Sequence, residues 1–176
     1  YAATGFFGFH GFLRNLVQFR GMMDRVQKGM LERTPLALVV EPEVPINLYP
    51  VDSVVREAVD IALRPDAEGV YHLTHPTPPK VGLVIRAMFS TLHLHEPRFV
   101  ASRDELEWID SKFDERIEFY SGWLVGVRSY DRSRTDTALG GARRAEPPLD
   151  AATLAAHARW YADALEAERT NLPVGR

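Results

Sequence analysis

Apolar side chains recur every three or four residues through most of this chain, which is the spacing of helices that bury one face. This spacing predicts five helices, over residues 6–31, 51–64, 81–92, 102–124 and 150–168. A capping box, Ser102 followed by Glu105, opens the fourth helix. The face predicted to be buried in the last helix carries Leu154, Ala158, Tyr161 and Leu165.

The helix that follows Pro50 has the clearest division into two faces. One face is apolar and is predicted to pack inward; it carries Val51, Val54, Val55, Ala58, Val59 and Ala62. Asp52 or Ser53 is predicted to cap its N-terminus, and Pro65 is predicted to end it.

Short runs of aliphatic, β-branched and aromatic residues predict strands between the helices. These runs are LALVV (36–40), INLY (46–49), GVYHLT (69–74) and RFVA (98–101). Residues 128–148 are rich in Arg, Asp, Ser, Thr and Gly and predict a loop. The order of elements predicts one helix-dominated α/β lobe over residues 1–176, with too few strands for a full doubly wound sheet.

Composition and charge narrow the function classes. The chain has 21 Lys and Arg against 24 Asp and Glu, a net charge of -3, so no basic excess favours nucleic acid. No apolar run approaches the roughly 20 residues that span a bilayer, so we expect no membrane segment. The absence of cysteine removes disulfides, thiolate metal sites and a cysteine nucleophile, and favours the cytoplasm. The aromatic start without Met indicates a fragment of a longer chain.

Residues 4–11, TGFFGFHG, match T-G-x-x-G-x-x-G, the phosphate-binding turn of short-chain dehydrogenases. That turn needs a strand directly before it, so that the helix N-terminus points at the pyrophosphate. Only three residues precede Thr4. We therefore favour an aromatic start of a helix, whose glycines allow close packing, over a cofactor turn.

Several motifs in order resemble the C-terminal half of extended short-chain dehydrogenases/reductases, in the thioester-reductase and fatty-acyl-reductase branch. They are Thr4-Gly5, Phe9-His10-Gly11-Phe12, the strand and helix start with Asn47, Pro50, Val51, Asp52 and Val54, the run Gly69–Thr74, and Tyr130, Asp131, Thr135 and Pro148-Leu149-Asp150. The resemblance implies the substrate-binding part of a Rossmann-type reductase without its nucleotide-binding half. It also implies NADP or NAD in the parent enzyme and no cofactor bound by this chain alone.

The resemblance further implies a substrate pocket with walls made by residues 4–12 and 47–52. The substrate-binding candidates are Thr4, Gly5, Phe6, Phe9, His10, Phe12, Asn47 and Tyr49. No Tyr-x-x-x-Lys occurs, so no catalytic residue is expected within this chain. His10 and Asp52 are the candidates to test first, although a packed histidine and a helix cap are the favoured explanations of these two residues. The expected partners are a small-molecule or carrier-bound acyl substrate and the nucleotide-binding half, in cis or in trans, with a homodimer as a further option.

Two other function classes stay open. The chain is alternatively a cofactor-free lyase, isomerase, cyclase or binding module, or a subunit that completes a reductase in trans through an unpaired sheet edge. A metal site is suggested by four histidines, His72, His75, His93 and His95, and the last two would lie on one side of a strand. No third ligand has a fitting spacing, so no metal is expected. The arginines in and beside the predicted loop either bind carrier phosphates or are solvated; they are Arg128, Arg132, Arg134, Arg143 and Arg144.

Overall fold

The computed structural model describes residues 8–126, 129–140 and 148–171, with side chains in the last range described up to Glu168. The helices are α1 (Phe9–Val26), α2 (Met30–Arg33), α3 (Val51–Ala62), α4 (Val81–Thr91), α5 (Trp108–Ile117), α6 (Ser121–Leu124), α7 (Ser133–Ala138) and α8 (Ala151–Asn171). Two strands, β1 (Ala37–Val39) and β2 (Arg98–Val100), pair in parallel. The prediction of a helix-dominated α/β chain with few strands is confirmed at this level. Within the described ranges, no helix combines the length and apolar content needed to cross a bilayer.

Three helices, α1, α4 and α8, supply most of the hydrophobic core. α1 buries Leu13, Leu16 and Phe19 completely, at the spacing that the sequence predicts. The buried face predicted for α8 is confirmed; it consists of Leu154, Ala158, Tyr161 and Leu165. Thr91 Oγ1 lies 3.3 Å from the carbonyl oxygen of Ala155, so α4 and α8 approach closely where α4 ends.

A buried carboxylate joins the sheet to α5. Asp110 Oδ1 accepts a hydrogen bond of 2.9 Å from the backbone N–H of Ala37, the first residue of β1. Its Oδ2 accepts a 3.0 Å bond from the N–H of Glu107, which caps α5. A buried backbone N–H needs a partner, so this one side chain fixes the position of α5 against the sheet.

Two of the predicted strands do not form within the described residues. Residues 46–49 have no regular secondary structure; Pro45, just before them, forms an isolated bridge to Lys80, and Ile46 donates its N–H to the carbonyl of Pro79 at 2.9 Å. Residues 69–74 are also irregular. A strand requires a neighbour that completes its ladder, and β-propensity alone does not supply one.

The predicted helix over 102–124 is divided into several pieces. The Ser102–Glu105 capping box is present, and Glu105 accepts the N–H of Ser102 at 3.2 Å, but it closes only a 3-10 turn over Arg103–Glu105. Leu106 and Glu107 then adopt extended conformations, so α5 begins at Trp108 behind a second capping box. The predicted loop over 128–148 is also wrong in part, because it contains α7.

α3 forms where predicted, but the face predicted to be buried is exposed. Val51, Val55 and Val59 are 70%, 55% and 50% exposed. The inward face instead carries Ser53, Glu57 and Ile61. The polar face points inward because Glu57 pairs there with Arg132, which comes from a distant part of the chain.

The capping prediction for α3 is also wrong. The helix begins after Pro50, and no side chain caps it through a hydrogen bond. Asp52 is exposed in the first turn, and Ser53 is buried with its Oγ accepting a 2.9 Å bond from Arg56. Asp52 therefore contributes at most a favourable charge at the positive end of the helix dipole.

Candidate ligand-binding site

An apolar cavity of about 420 Å³ opens between the start of α1, residues 46–48, α4 and residues 119–124. Its lining is almost entirely hydrocarbon, and the described residues place no charged side chain on it. The cavity-lining residues are Gly8, Phe9, Phe12, Ile46, Asn47, Leu48, Val81, Val84, Ile85, Met88, Phe119, Tyr120, Trp123 and Leu124. A volume in the range of about 300–1,000 Å³ is typical of small-molecule sites.

Aromatic packing forms the wall on the side of α1. Gly8 precedes the helix with φ 63°, a left-handed conformation that favours glycine, and so directs Phe9 and Phe12 toward the cavity. The Phe12 ring packs edge-to-face on Phe113 at 5.9 Å and on Tyr120 at 6.1 Å between ring centroids. Such pairs hold the rings in place and leave one face toward the cavity.

The opposite wall depends on how residues 42–48 meet α4. Val81 donates its N–H to the carbonyl of Val44 at 2.9 Å, and Gly82 donates to the carbonyl of Pro42 at 3.0 Å. These bonds satisfy backbone donors in the first turn of α4 and anchor residues 46–48 beside it. Val84 and Met88 then follow at helical spacing and face the cavity.

Three described lining residues, Asn47, Tyr120 and Trp123, carry a polar group in the side chain. Asn47 Oδ1 accepts the backbone N–H of His75 at 3.0 Å. Burial raises the pKa of the Tyr120 phenol, so this group is neutral at physiological pH. The described lining therefore carries no ionised side chain, and it suits the apolar part of a ligand.

The structure brings some of the predicted substrate-binding residues together. Phe9, Phe12 and Asn47 line the cavity. His10 faces α8 and Tyr49 faces α3, so neither lines it. Asp52 lies on the exposed side of α3. The remaining candidates, Thr4, Gly5 and Phe6, lie outside the described residues.

His10 is held in an aromatic setting. Its ring centroid lies 4.7 Å from that of Tyr161, 6.3 Å from that of Trp160 and 5.4 Å from that of Phe9. Burial lowers the pKa of His10 below its usual value of 6.5, and the nearby His157 lowers it further. The neutral imidazole is thus the favoured form in the folded chain.

The lowered pKa of His10 makes the stability of the chain depend on pH. The folded state binds fewer protons than the unfolded state, so the contribution of His10 is complete above pH 6.5 and falls as the pH drops through 6.5 toward the folded pKa. We expect the urea midpoint to fall between pH 7.5 and 5.5, and to fall less in His10→Phe, which keeps a ring there. His157→Gln should reduce the fall partly. An identical fall in wild type and His10→Phe would contradict this assignment.

A buried ion pair lies beside the cavity, and the sequence did not predict it. Arg132, just before α7, contacts Glu57 of α3 at 2.9 Å, with side chains only 10% and 12% exposed. Tyr49 donates its hydroxyl to the same carboxylate at 2.7 Å. Arg132 also donates to the carbonyl of Thr74 and lies 3.3 Å from Asp136. This network explains why the inner face of α3 is polar.

The network joins α7 to the irregular segment 69–75. Thr135 is fully buried and donates its hydroxyl to the carbonyl of His72 at 3.0 Å. Arg134 lies over the ring of Tyr71 at 5.3 Å. Of the arginines considered for carrier phosphates, Arg132 and Arg134 are thus engaged within the chain, and Arg128, Arg143 and Arg144 lie outside the described residues.

Metal chemistry has no support in the described ranges. No three His, Asp or Glu side chains converge there closely enough to hold an ion. His95 Nδ1 contacts the carbonyl oxygen of Glu96, its neighbour.

The chain matches no protein-family model, no curated protein and no solved structure at a significant level. The fold and the site themselves define its class: a helix-dominated α/β lobe with a small parallel sheet and an apolar cavity of ligand size.

Proposed function

We propose that this chain is the substrate-binding portion of an NAD(P)-dependent extended short-chain reductase, and that the cavity binds the apolar part of a carbonyl or acyl-thioester substrate. The observation that carries the proposal is the lining of the cavity. Phe9, Phe12 and Asn47 line the same cavity. They come from two segments far apart in sequence, and both segments resemble that branch of reductases.

The exposed face of α3 supports a partner in this function. Val51, Val55 and Val59 form a continuous apolar stripe, and Leu63 extends it at 79% exposure. Contiguous exposed apolar surface is typical of protein–protein contacts. A nucleotide-binding half, in cis or in trans, would cover it. That half would also supply NADP or NAD and the Tyr and Lys that protonate the substrate oxygen, which this chain lacks.

Ligand binding is measured best through Trp123, which lines the cavity. The other two tryptophans, Trp108 and Trp160, are 71% and 62% exposed and can be replaced by Phe. In that background we expect dodecanal, and the thioester of dodecanoic acid with N-acetylcysteamine, to change the Trp123 emission in a saturable way. Burial of the ligand's alkyl chain in a preformed apolar cavity drives this binding.

A matched pair of variants on α4 tests where the ligand binds. Val84→Phe fills the cavity and is expected to weaken binding at least tenfold, whereas Ser90→Phe adds the same ring on the exposed side. Equal binding in both variants, or no saturable change in the parent, would refute the site. NADPH is expected to be oxidised only when the nucleotide-binding half is present. Oxidation by this chain alone would refute the division of roles.

A further inference from the structure

A second groove, of about 450 Å³, runs along α1 between residues of α5 and the end of α8. It shares no residue with the apolar cavity. Arg14 and Arg25 of α1 and Arg116 of α5 line it, and Glu168 is the one carboxylate among the described lining residues. Three guanidinium groups against one carboxylate give the groove a positive charge, although the whole chain carries -3.

These three arginines differ from several others that the structure describes. Arg14, Arg25 and Arg116 form no ion pair or hydrogen bond with any residue that the structure describes. By contrast, many arginines contact a carboxylate; these are Arg20, Arg64, Arg86, Arg103 and Arg132. Three arginines that line one groove, with one carboxylate among the described lining residues, favour an anionic ligand.

The spacing of Arg14 and Arg25 along α1 places both on one face of the helix. Arg14, Gln18, Gly21 and Arg25 follow at i, i+4, i+7 and i+11, which is one face of a helix. The two arginines are about 16 Å apart along the axis at a rise of about 1.5 Å per residue. Arginine side chains are long enough to bend toward each other across the position between them, which is Gly21.

Gly21 keeps that position open. Glycine is unfavourable inside a helix, so its presence needs a reason. Close packing is not the reason, because a Cβ added to Gly21 would meet no heavy atom within 4 Å. Gly21 lines both this groove and an adjoining groove of about 810 Å³. A side chain there would occupy the space between the two arginines.

We propose that this groove binds a ligand with a diphosphate group. The guanidinium groups contact phosphoryl oxygens, which they match in geometry as paired N–H donors. Met22 and Leu165 provide an apolar surface for the part of the ligand attached to the diphosphate. The chain is acidic overall, which favours a small ligand over a long polyanion such as nucleic acid. The proposal does not depend on the proposed function.

Calorimetric titration with inorganic pyrophosphate at low salt tests the site. Binding is expected in the parent chain and is expected to weaken at least fivefold in each of Arg14→Gln, Arg25→Gln and Arg116→Gln. Arg33→Gln, an exposed arginine on α2, is the matched control and should bind as the parent does. Gly21→Leu is expected to block binding while the melting temperature stays equal or rises, because leucine favours the helix. That result separates a blocked groove from a misfolded chain.

ADP and coenzyme A both contain a diphosphate group. The one that binds with the lower dissociation constant identifies the class of compound from which the ligand comes. Both should compete with pyrophosphate. The proposal is overturned if pyrophosphate gives no heat of binding, if Gly21→Leu binds it as the parent does, or if sulfate at equal ionic strength binds equally well and all variants behave alike. Equal binding of sulfate by all variants would mean that anions are attracted generally to the surface charge.

Discussion

Arg132→Ala is expected to destabilise the chain by about 3–5 kcal/mol. The substitution removes the partner of Glu57, whose side chain is only 12% exposed, and leaves its carboxylate buried without the guanidinium. It also removes the donor to the carbonyl of Thr74. The free energy of unfolding from urea titration, followed by circular dichroism, measures the loss.

Two variants show whether the cost is that of an orphaned charge. Replacing both partners, as Arg132→Met with Glu57→Leu, should recover at least half of the loss, because no buried charge remains. Lys112→Ala breaks an exposed pair with Glu115, whose side chains are 43% and 64% exposed, and should cost less than about 1 kcal/mol. A loss below about 1 kcal/mol in Arg132→Ala would contradict the description of the pair as buried and essential.

Gly82→Ala is expected to cost about 3 kcal/mol. A Cβ at position 82 would lie 2.7 Å from Pro42 Cβ and 2.9 Å from the Pro42 carbonyl oxygen, which is too close for either pair of atoms. Relief of the clash must separate α4 from residues 42–48 and lengthen the 3.0 Å bond from the Gly82 N–H to Pro42. The same movement distorts the apolar cavity, so binding of dodecanal should weaken together with stability.

Gly21→Ala is the matched control, since it makes the same change within α1. A Cβ at Gly21 meets nothing within 4 Å, so alanine should stabilise the chain by about 1 kcal/mol through helix propensity. The two glycine variants are thus expected to differ by about 4 kcal/mol in opposite directions. Similar effects in both would contradict the close contact between Gly82 and Pro42.

α3 connects stability to the proposed function. Its inner face is held by the ion pair with Arg132, and its outer face presents Val51, Val55 and Val59 to solvent. The proposed nucleotide-binding half would contact the outer face without disturbing the inner one. The ion pair with Arg132 therefore fixes the position of α3 within this chain.

The sequence alone predicted the helices whose apolar face is also their buried face. α8 is the clearest example, because Leu154, Ala158 and Tyr161 repeat at helical spacing and all three are buried. β1 and β2 were predicted for a similar reason, as each is a short apolar run between turns. In these segments local pattern and tertiary packing agree, so the pattern is sufficient.

For the candidate site, the sequence predicted parts of two walls. Phe9, Phe12 and Asn47 were among the substrate-binding candidates, and they line the cavity. Met88 and Trp123 also line the cavity. They lie in segments that no local motif connects to α1 or to residues 46–48. A cavity is the space left between elements distant in sequence, so its remaining walls appear only when those elements are packed together.

Tertiary structure alone decided which face of α3 points inward. The period of its valines predicts a helix and an apolar face, and both are present. The partner that reverses the burial is Arg132, 75 residues from Glu57 in the chain. Periodicity indicates that a helix has two different faces, but the element packed against the helix decides which face is buried. A buried charge such as that of Glu57 needs an opposite charge beside it, even when that partner is distant in sequence.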